Sequence, residues 1–245
     1  MKRILLFLSF FIEGSLFSNP QDWKLVKFTP PEFVLELYQI FKDTHEIFAA
    51  SHIDYWLEGG SLLGAVRHKG IIPWDDDIDI CVLKSNKKKI AALEPAFKKL
   101  GYTLKEVFFG YKISGKKAFL DIFFMSSSQN NTYVYSSKIA RKTFLTIQRE
   151  FVSYKEKDLF PLKLYPFGSL QVWGPHNPIS YLDNYYTDWR TTAKFLLKHQ
   201  KYDMHIIHLT QSDMLPAQPF GPLENRIMPL LNYIYRVVRS LSHSH

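Results

Sequence analysis

The stretch EGGSLLGAVRHKGIIPWDDDIDICVL, residues 58–83, holds five of the chain's 23 acidic residues within a largely apolar segment. Four of these acidic residues stand almost side by side: Asp75, Asp76, Asp77 and Asp79. They lead directly into the apolar residues 80–83. We predict a strand over residues 75–83, because the apolar run is short and rich in β-branched residues.

Alternation along this predicted strand directs Asp75, Asp77 and Asp79 to one face and the isoleucines and valine to the other. The Cα atoms of these aspartates would lie about 6 to 7 Å apart, and carboxylates that close resist ionising together. We therefore expect a cation at this face. Hard oxygen ligands favour Mg²⁺ or Mn²⁺, which take further ligands from substrate phosphates.

Other interpretations of the aspartates fit less well or stay open. An EF-hand loop starting at Asp75 requires a glycine at its sixth position and a glutamate at its twelfth, where this chain has Ile80 and Asn86. A solvated acidic turn would rarely continue into the sequence IDICVL. A glycosyltransferase that uses a nucleotide sugar also places a D-x-D motif at a strand end, and this alternative remains open.

Upstream of the aspartates, Gly59, Gly60 and Ser61 lie between a predicted strand over 54–60 and a predicted short helix over 61–68. Glycines let a backbone approach a ligand closely, and the N–H groups at a helix start bind phosphate. We predict Ser61 as the N-cap of that helix. A Gly-Gly-Ser turn followed by a D-x-D strand resembles the active site of the nucleotidyltransferase superfamily.

The continuous string EGGSLLGAVRHKGIIPWDDDIDI, residues 58–80, resembles the hallmark of the LicD family, which includes bacterial phosphorylcholine transferases and the fukutin-related proteins. FLDIFF, residues 119–124, is similar to the family's third acidic strand, and YLDNYYTDWRT, residues 181–191, to its downstream segment. Thr187 follows Tyr186 where family members often have glycine. The resemblance extends over roughly residues 30–205.

This resemblance implies the transfer of a phosphorylated alcohol, such as phosphocholine or ribitol phosphate, from a CDP-linked donor to a hydroxyl of a glycan or glycoconjugate. It implies Mg²⁺ or Mn²⁺ held by Asp77, Asp79 and Asp121, with Asp121 alternatively the base that takes the acceptor's proton. Arg67 would stabilise charge in the transition state. The implied donor-phosphate site comprises Gly59, Gly60, Ser61, His68 and Lys69, while Glu58 and Trp74 are supporting residues at best.

The fold that the superfamily implies is an α+β, nucleotidyltransferase-like mixed β-sheet flanked by helices. The hydrophobic pattern agrees: it predicts helices over 30–53 and 86–101 and strands over 102–109, 111–115 and 117–125. After residue 150 the pattern loosens, which indicates an irregular C-terminal subdomain. Residues 206–245 form an extension of unknown role.

Composition and charge limit the classes of function. With 245 residues, 46% of them hydrophobic, the chain can bury a substantial core, and a net charge of +8 suits anionic partners. The alternative interpretation of the basic cluster at 84–89 is a solvated face of the helix that follows the aspartate strand. A lone cysteine, Cys81, excludes an intramolecular disulfide and a multi-cysteine zinc site. Two further alternatives are a non-catalytic binding protein on the same scaffold and a nucleic-acid nucleotidyltransferase, and nucleic acid is the less expected partner.

The N-terminus has the layout of a secretory signal sequence. Lys2 and Arg3 precede a largely apolar run over residues 4–12, which is shorter than the ~20 residues of a membrane-spanning helix. We therefore predict a signal-like segment over 1–18 and a location in the secretory route or at a membrane surface, with the cytoplasmic membrane face as the alternative. Asn130 begins a glycosylation sequon that would matter in a eukaryotic secretory route.

Overall fold

The structure, a computed structural model, describes residues 23, 26–148, 153–196 and 204–219. The predicted signal-like segment 1–18 lies outside these residues, as does most of the predicted extension 206–245. No helix within the described ranges combines the length and the apolar character needed to cross a membrane.

A seven-stranded mixed sheet forms the centre of the molecule, with the strand order β1-β2-β5-β4-β3 and with β6 joining β5 to β7. Strands β2 and β5 pair in parallel, and the other pairings described in this sheet are antiparallel. The strands are β1 Tyr55–Leu57, β2 Ile78–Leu83, β3 Thr103–Val107, β4 Gly110–Ser114, β5 Phe119–Ser128, β6 Thr132–Tyr135 and β7 Ser153–Lys155. The predicted α+β fold with a mixed sheet is confirmed.

Helix α1, Pro31–Ala50, confirms the predicted N-terminal helix and packs its apolar stripe on the sheet. Val34, Leu37, Ile40 and Phe41 are fully buried along that stripe, and their separations of three, four and seven residues are those of an amphipathic helix. The remaining helices are short: α2 Gly59–Leu63, α3 Lys87–Ala91, α4 Glu94–Lys99, α5 Lys138–Gln148, α6 Glu156–Leu159 and α7 Ile179–Tyr185.

The aspartate-bearing strand β2 begins at Ile78, so the prediction that it starts at Asp75 is wrong. Asp75 lies in a turn, where its N–H donates to the carbonyl of Ile72 at 2.9 Å. The side chains of Ile80, Cys81 and Val82 are all fully buried, so both faces of this strand are covered. Side chains therefore alternate between the two faces of the sheet only from Ile78 onward.

Two other predicted elements differ from the structure. The helix predicted over 86–101 is interrupted between α3 and α4, where Pro95 stands in the first turn of α4. Proline is tolerated there because a first-turn N–H has no partner within the helix. The part after residue 150 is more regular than predicted, since it contains the hairpins β8 Lys163–Phe167 with β9 Leu170–Gly174 and β10 Thr192–Leu196 with β11 Met204–His208.

Candidate active site

The turn before α2 ties the Gly-Gly-Ser motif to strand β2. The N–H of Glu58 donates to the carbonyl of Asp79 at 3.0 Å, and the N–H of Asp79 donates to Ser61 Oγ at 2.9 Å. Gly59 has φ +52°, a conformation that L side chains rarely adopt. The helix begins at Gly59, so the prediction that Ser61 is its N-cap is wrong. Ser61 instead fixes the distance between α2 and the aspartate strand.

Gly60 allows the carboxylate of Asp75 to lie directly against the backbone of α2. A Cβ atom built on Gly60 would lie 2.5 Å from Asp75 Oδ2, well inside normal contact distance. The sequence predicted close approach of a phosphate to this glycine, and the structure adds that an aspartate of the site also requires its missing side chain. Gly60 therefore connects the Gly-Gly-Ser turn to the carboxylate cluster.

We expect Gly60→Val to abolish detectable donor binding while the protein remains folded. Its side chain would displace the Asp75 carboxylate and would obstruct approach of a ligand to the backbone. Calorimetric titration of a CDP-linked donor would measure the effect. Gly101→Ala is the matched control, because no atom lies within 4 Å of the position of its Cβ and only backbone strain at φ +86° results. Unchanged donor affinity in Gly60→Val would contradict a phosphate site at this turn.

Three of the predicted metal ligands come together at the ends of two neighbouring strands. Asp77, Asp79 and Asp121 each offer a carboxylate oxygen, and these oxygens lie within 4.8 Å of one another. The parallel pairing of β2 with β5 makes Asp79 and Asp121 register partners. Asp75, Asp76 and Asp77 form an overlapping acidic group of the same compactness. The donor set is entirely oxygen, which suits Mg²⁺ or Mn²⁺.

Burial and mutual repulsion make these carboxylates costly to ionise. Burial, followed by repulsion from neighbouring aspartates, raises the pKa of Asp75 to about 8 and the pKa of Asp77 to about 6. The same causes raise the pKa of Asp79 well above its ordinary value. A divalent cation would favour the ionised forms, so the electrostatics of the cluster also fit the metal that the sequence predicts.

Asp121 has a cationic partner that the sequence analysis did not identify. Lys112 Nζ, on the neighbouring strand β4, lies 2.7 Å from Oδ1 and 2.9 Å from Oδ2 of Asp121. Burial raises the pKa of Asp121, and the ammonium of Lys112 opposes that rise. The ion pair answers the question of how a carboxylate between Phe119 and Phe123 is accommodated in this sheet.

Arg67 lines a cleft that also contains Asp75, Asp77 and Asp79. It is anchored to another part of the lining of this cleft, the segment 189–192. Its Nη1 donates to the carbonyls of Trp189, at 2.6 Å, and Thr192, at 3.0 Å. Burial lowers the pKa of its guanidinium to about 10, which leaves it charged at neutral pH. Arg67 thus brings a positive charge to the cleft and holds the segment 189–192 in place.

His68 and Lys69 are not among the residues that line this cleft. His68 is 1% exposed, and burial followed by repulsion from Arg67 lowers its pKa to about 3, so its ring is neutral. Lys69 Nζ donates to the carbonyl of Val66 at 2.8 Å. The prediction that both residues bind donor phosphate gains no support from this geometry.

The cleft has a volume of about 470 Å³ and is lined by Asp75, Asp77 and Asp79 together with an aromatic wall. Of the other predicted site residues, Gly60 and Arg67 line it, and Gly59, Ser61 and Asp121 do not. The wall comes from Trp74 and from the downstream segment that resembled the LicD family, with Lys194 on β10 as a further lining cation. Its aromatic residues are Trp74, Tyr185, Tyr186 and Trp189. A second cavity, of about 660 Å³, lies around Lys157, Lys163 and His176 and contains none of the predicted site residues.

Glu58, predicted to be a supporting residue at best, lies at the centre of a buried hydrogen-bond network. Its carboxylate accepts hydrogen bonds from three tyrosine hydroxyls and from Cys81 Sγ at 3.3 Å. The tyrosines, at oxygen distances of 3.0, 2.8 and 2.9 Å, are Tyr135, Tyr154 and Tyr181. The one clue in the sequence is an acidic residue directly after the buried strand YWL.

The mixed sheet, the Gly-Gly-Ser turn and the carboxylates at the ends of β2 and β5 together define a nucleotidyltransferase-type domain. The family model described as LicD/FKTN/FKRP, nucleotidyltransferase domain, matches residues 52–177, about half of the chain. The chain belongs to this family, which confirms the predicted resemblance. The wider boundaries predicted for the domain, 30–205, stay a prediction.

Three relatives illustrate the range of the similarity. An uncharacterized protein of Rickettsia prowazekii is 37% identical over 204 residues, covering 79% of this chain and 73% of that protein. Ribitol 5-phosphate transferase FKRP of Mus musculus is 30% identical over 64% of this chain and 32% of its own length. Lipopolysaccharide cholinephosphotransferase LicD of Haemophilus influenzae is 48% identical over 54 residues, 22% of this chain and 20% of its own length. The chain thus matches a third or less of the two named transferases.

Proposed function

We propose that this protein is a metal-dependent transferase that moves a phosphorylated alcohol from a CDP-linked donor to a hydroxyl of a glycan or glycoconjugate and releases CMP. The observation that carries the proposal is the meeting of Asp77, Asp79 and Asp121, whose carboxylate oxygens lie within 4.8 Å of one another. Asp77 and Asp79 line a cleft that also contains Gly60 and Arg67. Membership of the LicD/FKTN/FKRP family supports a phosphoryl-alcohol transferase, and the names of two relatives point to ribitol phosphate or phosphocholine as the transferred group.

Asp77, Asp79 and Asp121 would hold Mg²⁺ or Mn²⁺, and this cation would neutralise charge on the donor's diphosphate. The hydroxyl of Ser61 accepts from the N–H of Asp79, so its own proton remains available to donate to a phosphate oxygen. Arg67 supplies positive charge at the cleft. The close ion pair with Lys112 favours an ionised Asp121, the form that either role, metal ligand or base, requires.

The aromatic wall is suited to exclude water and to contact the flat or apolar parts of donor and acceptor. Tyr185 is the last residue of α7 and Tyr186 follows it directly. Trp189 donates its ring N–H to Asp183 at 2.8 Å, which fixes the ring. A glycan acceptor would enter along this wall. Association with a membrane surface and passage through the secretory route remain part of the proposal as predictions from the N-terminal sequence.

The proposal predicts that nucleotide release depends on a divalent cation. Purified protein would be incubated with Mg²⁺ or Mn²⁺ and a panel of CDP-alcohols and nucleotide sugars, and the released nucleotide would be identified by chromatography. We expect CMP from one or more CDP-alcohols, loss of release in EDTA and recovery on adding metal back. Full activity in EDTA would contradict the mechanism, and release of UDP or GDP from a nucleotide sugar would indicate a glycosyltransferase instead.

A further inference from the structure

Lys112 lies in one row with two of the candidate metal ligands. Asp79 on β2 is the register partner of Asp121 on β5, and Asp121 is the register partner of Lys112 on β4. Directly opposite residues on adjacent strands project to the same face of a sheet. The row therefore places the ammonium group of Lys112, on β4, directly next to the carboxylate of Asp121, on the side away from Asp79.

The ammonium group of Lys112 contacts both carboxylate oxygens of Asp121, at 2.7 and 2.9 Å. It also lies 3.4 Å from the centroid of the Phe119 ring, which attracts a cation through its negative face. Lys112 is therefore held at the acidic cluster by geometry and by charge.

We propose that Lys112 is an internal counter-ion that occupies Asp121 in the metal-free protein and that a divalent cation competes with it for this carboxylate. The inference rests on the metal site of the proposed function. Lys112 is a positioning residue in this scheme, because it acts through Asp121. Its role would be to hold the Asp121 carboxylate in one orientation until the cation binds.

Competition follows from the distances and from the charges. A Mg²⁺ ion binds carboxylate oxygens at about 2.0 to 2.1 Å, so a cation on Asp121 would lie within a few ångströms of an ammonium on the same oxygens. Like charges that close repel strongly in a partly buried site. The Lys112 side chain has four flexible carbons and is 30% exposed, so its ammonium can move away from Asp121 toward solvent.

The test is a calorimetric titration of the whole protein with Mn²⁺ alone, in the absence of donor. We expect Lys112→Met to tighten Mn²⁺ binding by about tenfold or more, because it removes the competing ammonium and retains a similar apolar stem. Lys112→Arg should weaken binding several-fold, since a guanidinium grips a carboxylate with two parallel hydrogen bonds. Lys112→Gln provides a second neutral variant if the methionine variant does not fold, as judged by its thermal melt.

Two controls separate competition at Asp121 from general repulsion between cations. Lys105→Met removes the same charge from β3, one strand farther out, where Lys105 is the register partner of Lys112 and is exposed. It should change Mn²⁺ affinity less than threefold. In an Asp121→Asn background, Lys112→Met should likewise have little effect, because a contact that acts through Asp121 disappears from the double-mutant cycle.

The results of these titrations either support or overturn the counter-ion role of Lys112. Unchanged Mn²⁺ affinity in the neutral Lys112 variants, or an equal gain in the Asp121→Asn background, would overturn the counter-ion role while leaving the proposed function intact. Mn²⁺ binding by Lys112→Met but not by the wild type would support it. If neither protein binds Mn²⁺ and nucleotide release is insensitive to EDTA, the metal site of the proposed function fails together with this inference.

Discussion

Asp79→Asn is expected to lower nucleotide release by a factor on the order of 10² to 10³, the loss typical of removing one group that stabilises transition-state charge. Asp79 links the two parts of the cluster, since it is the register partner of Asp121 on β5 and is two residues from Asp77, which precedes β2. The amide keeps the size of the side chain and removes one of the negative charges that a metal ion needs. The measurement is CMP release at saturating Mg²⁺ or Mn²⁺.

The same substitution should leave the melting temperature of the metal-free protein unchanged or raise it. The folded-state pKa of Asp79 lies well above its ordinary value because of burial and then repulsion from neighbouring aspartates. Ionisation of this group therefore opposes folding, and its effect on stability grows as pH rises above the unfolded-state pKa of about 4. Asp79→Asn removes this loss, so its advantage over the wild type should be larger at pH 8 than at pH 5.

Thermal melts in EDTA and in Mn²⁺, at both pH values, would measure this effect. Mn²⁺ should raise the melting temperature of the wild type and raise that of Asp79→Asn much less, because a ligand stabilises only the form that binds it. Asp54→Asn is the control, since Asp54 is exposed and precedes β1. An inactive Asp79→Asn that is also strongly destabilised would indicate a structural role for this aspartate.

The contiguous motif of residues 58–83 could be predicted well because its chemistry is local. Gly59 and the aspartates of the D-x-D motif are close in sequence, and helical spacing was enough to identify α1. The turn at Asp75 was missed because strand alternation was extended over three polar residues that belong to a loop. A run of aspartates contains no information on where the first ladder hydrogen bond forms.

The partners of the site residues could not be predicted from the sequence, because they come from distant parts of the chain. Arg67 donates to carbonyls 122 and 125 residues away, and such bonds depend on where the hairpin β10–β11 packs. Lys112 is nine residues from Asp121, but it was one lysine among many in a basic chain. The register of β4 on β5 selects it, and register depends on the whole sheet.

Glu58 is the clearest case of a role that only the fold reveals. Its four hydrogen-bond donors come from β2, β6, β7 and α7, at sequence separations of 23, 77, 96 and 123 residues. The carboxylate therefore joins the Gly-Gly-Ser turn to α7, whose last residue, Tyr185, begins the aromatic wall of the cleft. The rings of Tyr154 and Tyr181 stack at 4.6 Å and keep their hydroxyls directed at the same acceptor.

Glu58→Ala is expected to destabilise the protein by about 3 to 5 kcal/mol, because it removes the shared acceptor of a buried hydrogen-bond network. Three tyrosine hydroxyls would lose their acceptor, and a buried donor without a partner costs about 1 to 3 kcal/mol before the structure relaxes. For a chain of this length the loss corresponds to a decrease in melting temperature of roughly 10 °C, measurable by calorimetry.

Glu58→Gln should retain most of the stability, because burial raises the pKa of Glu58 and an amide resembles its neutral form. A raised folded-state pKa also means that the wild type loses stability as pH rises above about 4.5, and Glu58→Gln should lack that part of the pH dependence. Glu46→Ala is the control, since Glu46 is exposed on α1 and its salt bridge to Lys42, at 3.6 Å, is expected to contribute little. If Glu58→Ala melted within 2 °C of the wild type, the tyrosine hydroxyls would have to find other acceptors. The carboxylate would then no longer explain how α7 is tied to the Gly-Gly-Ser turn.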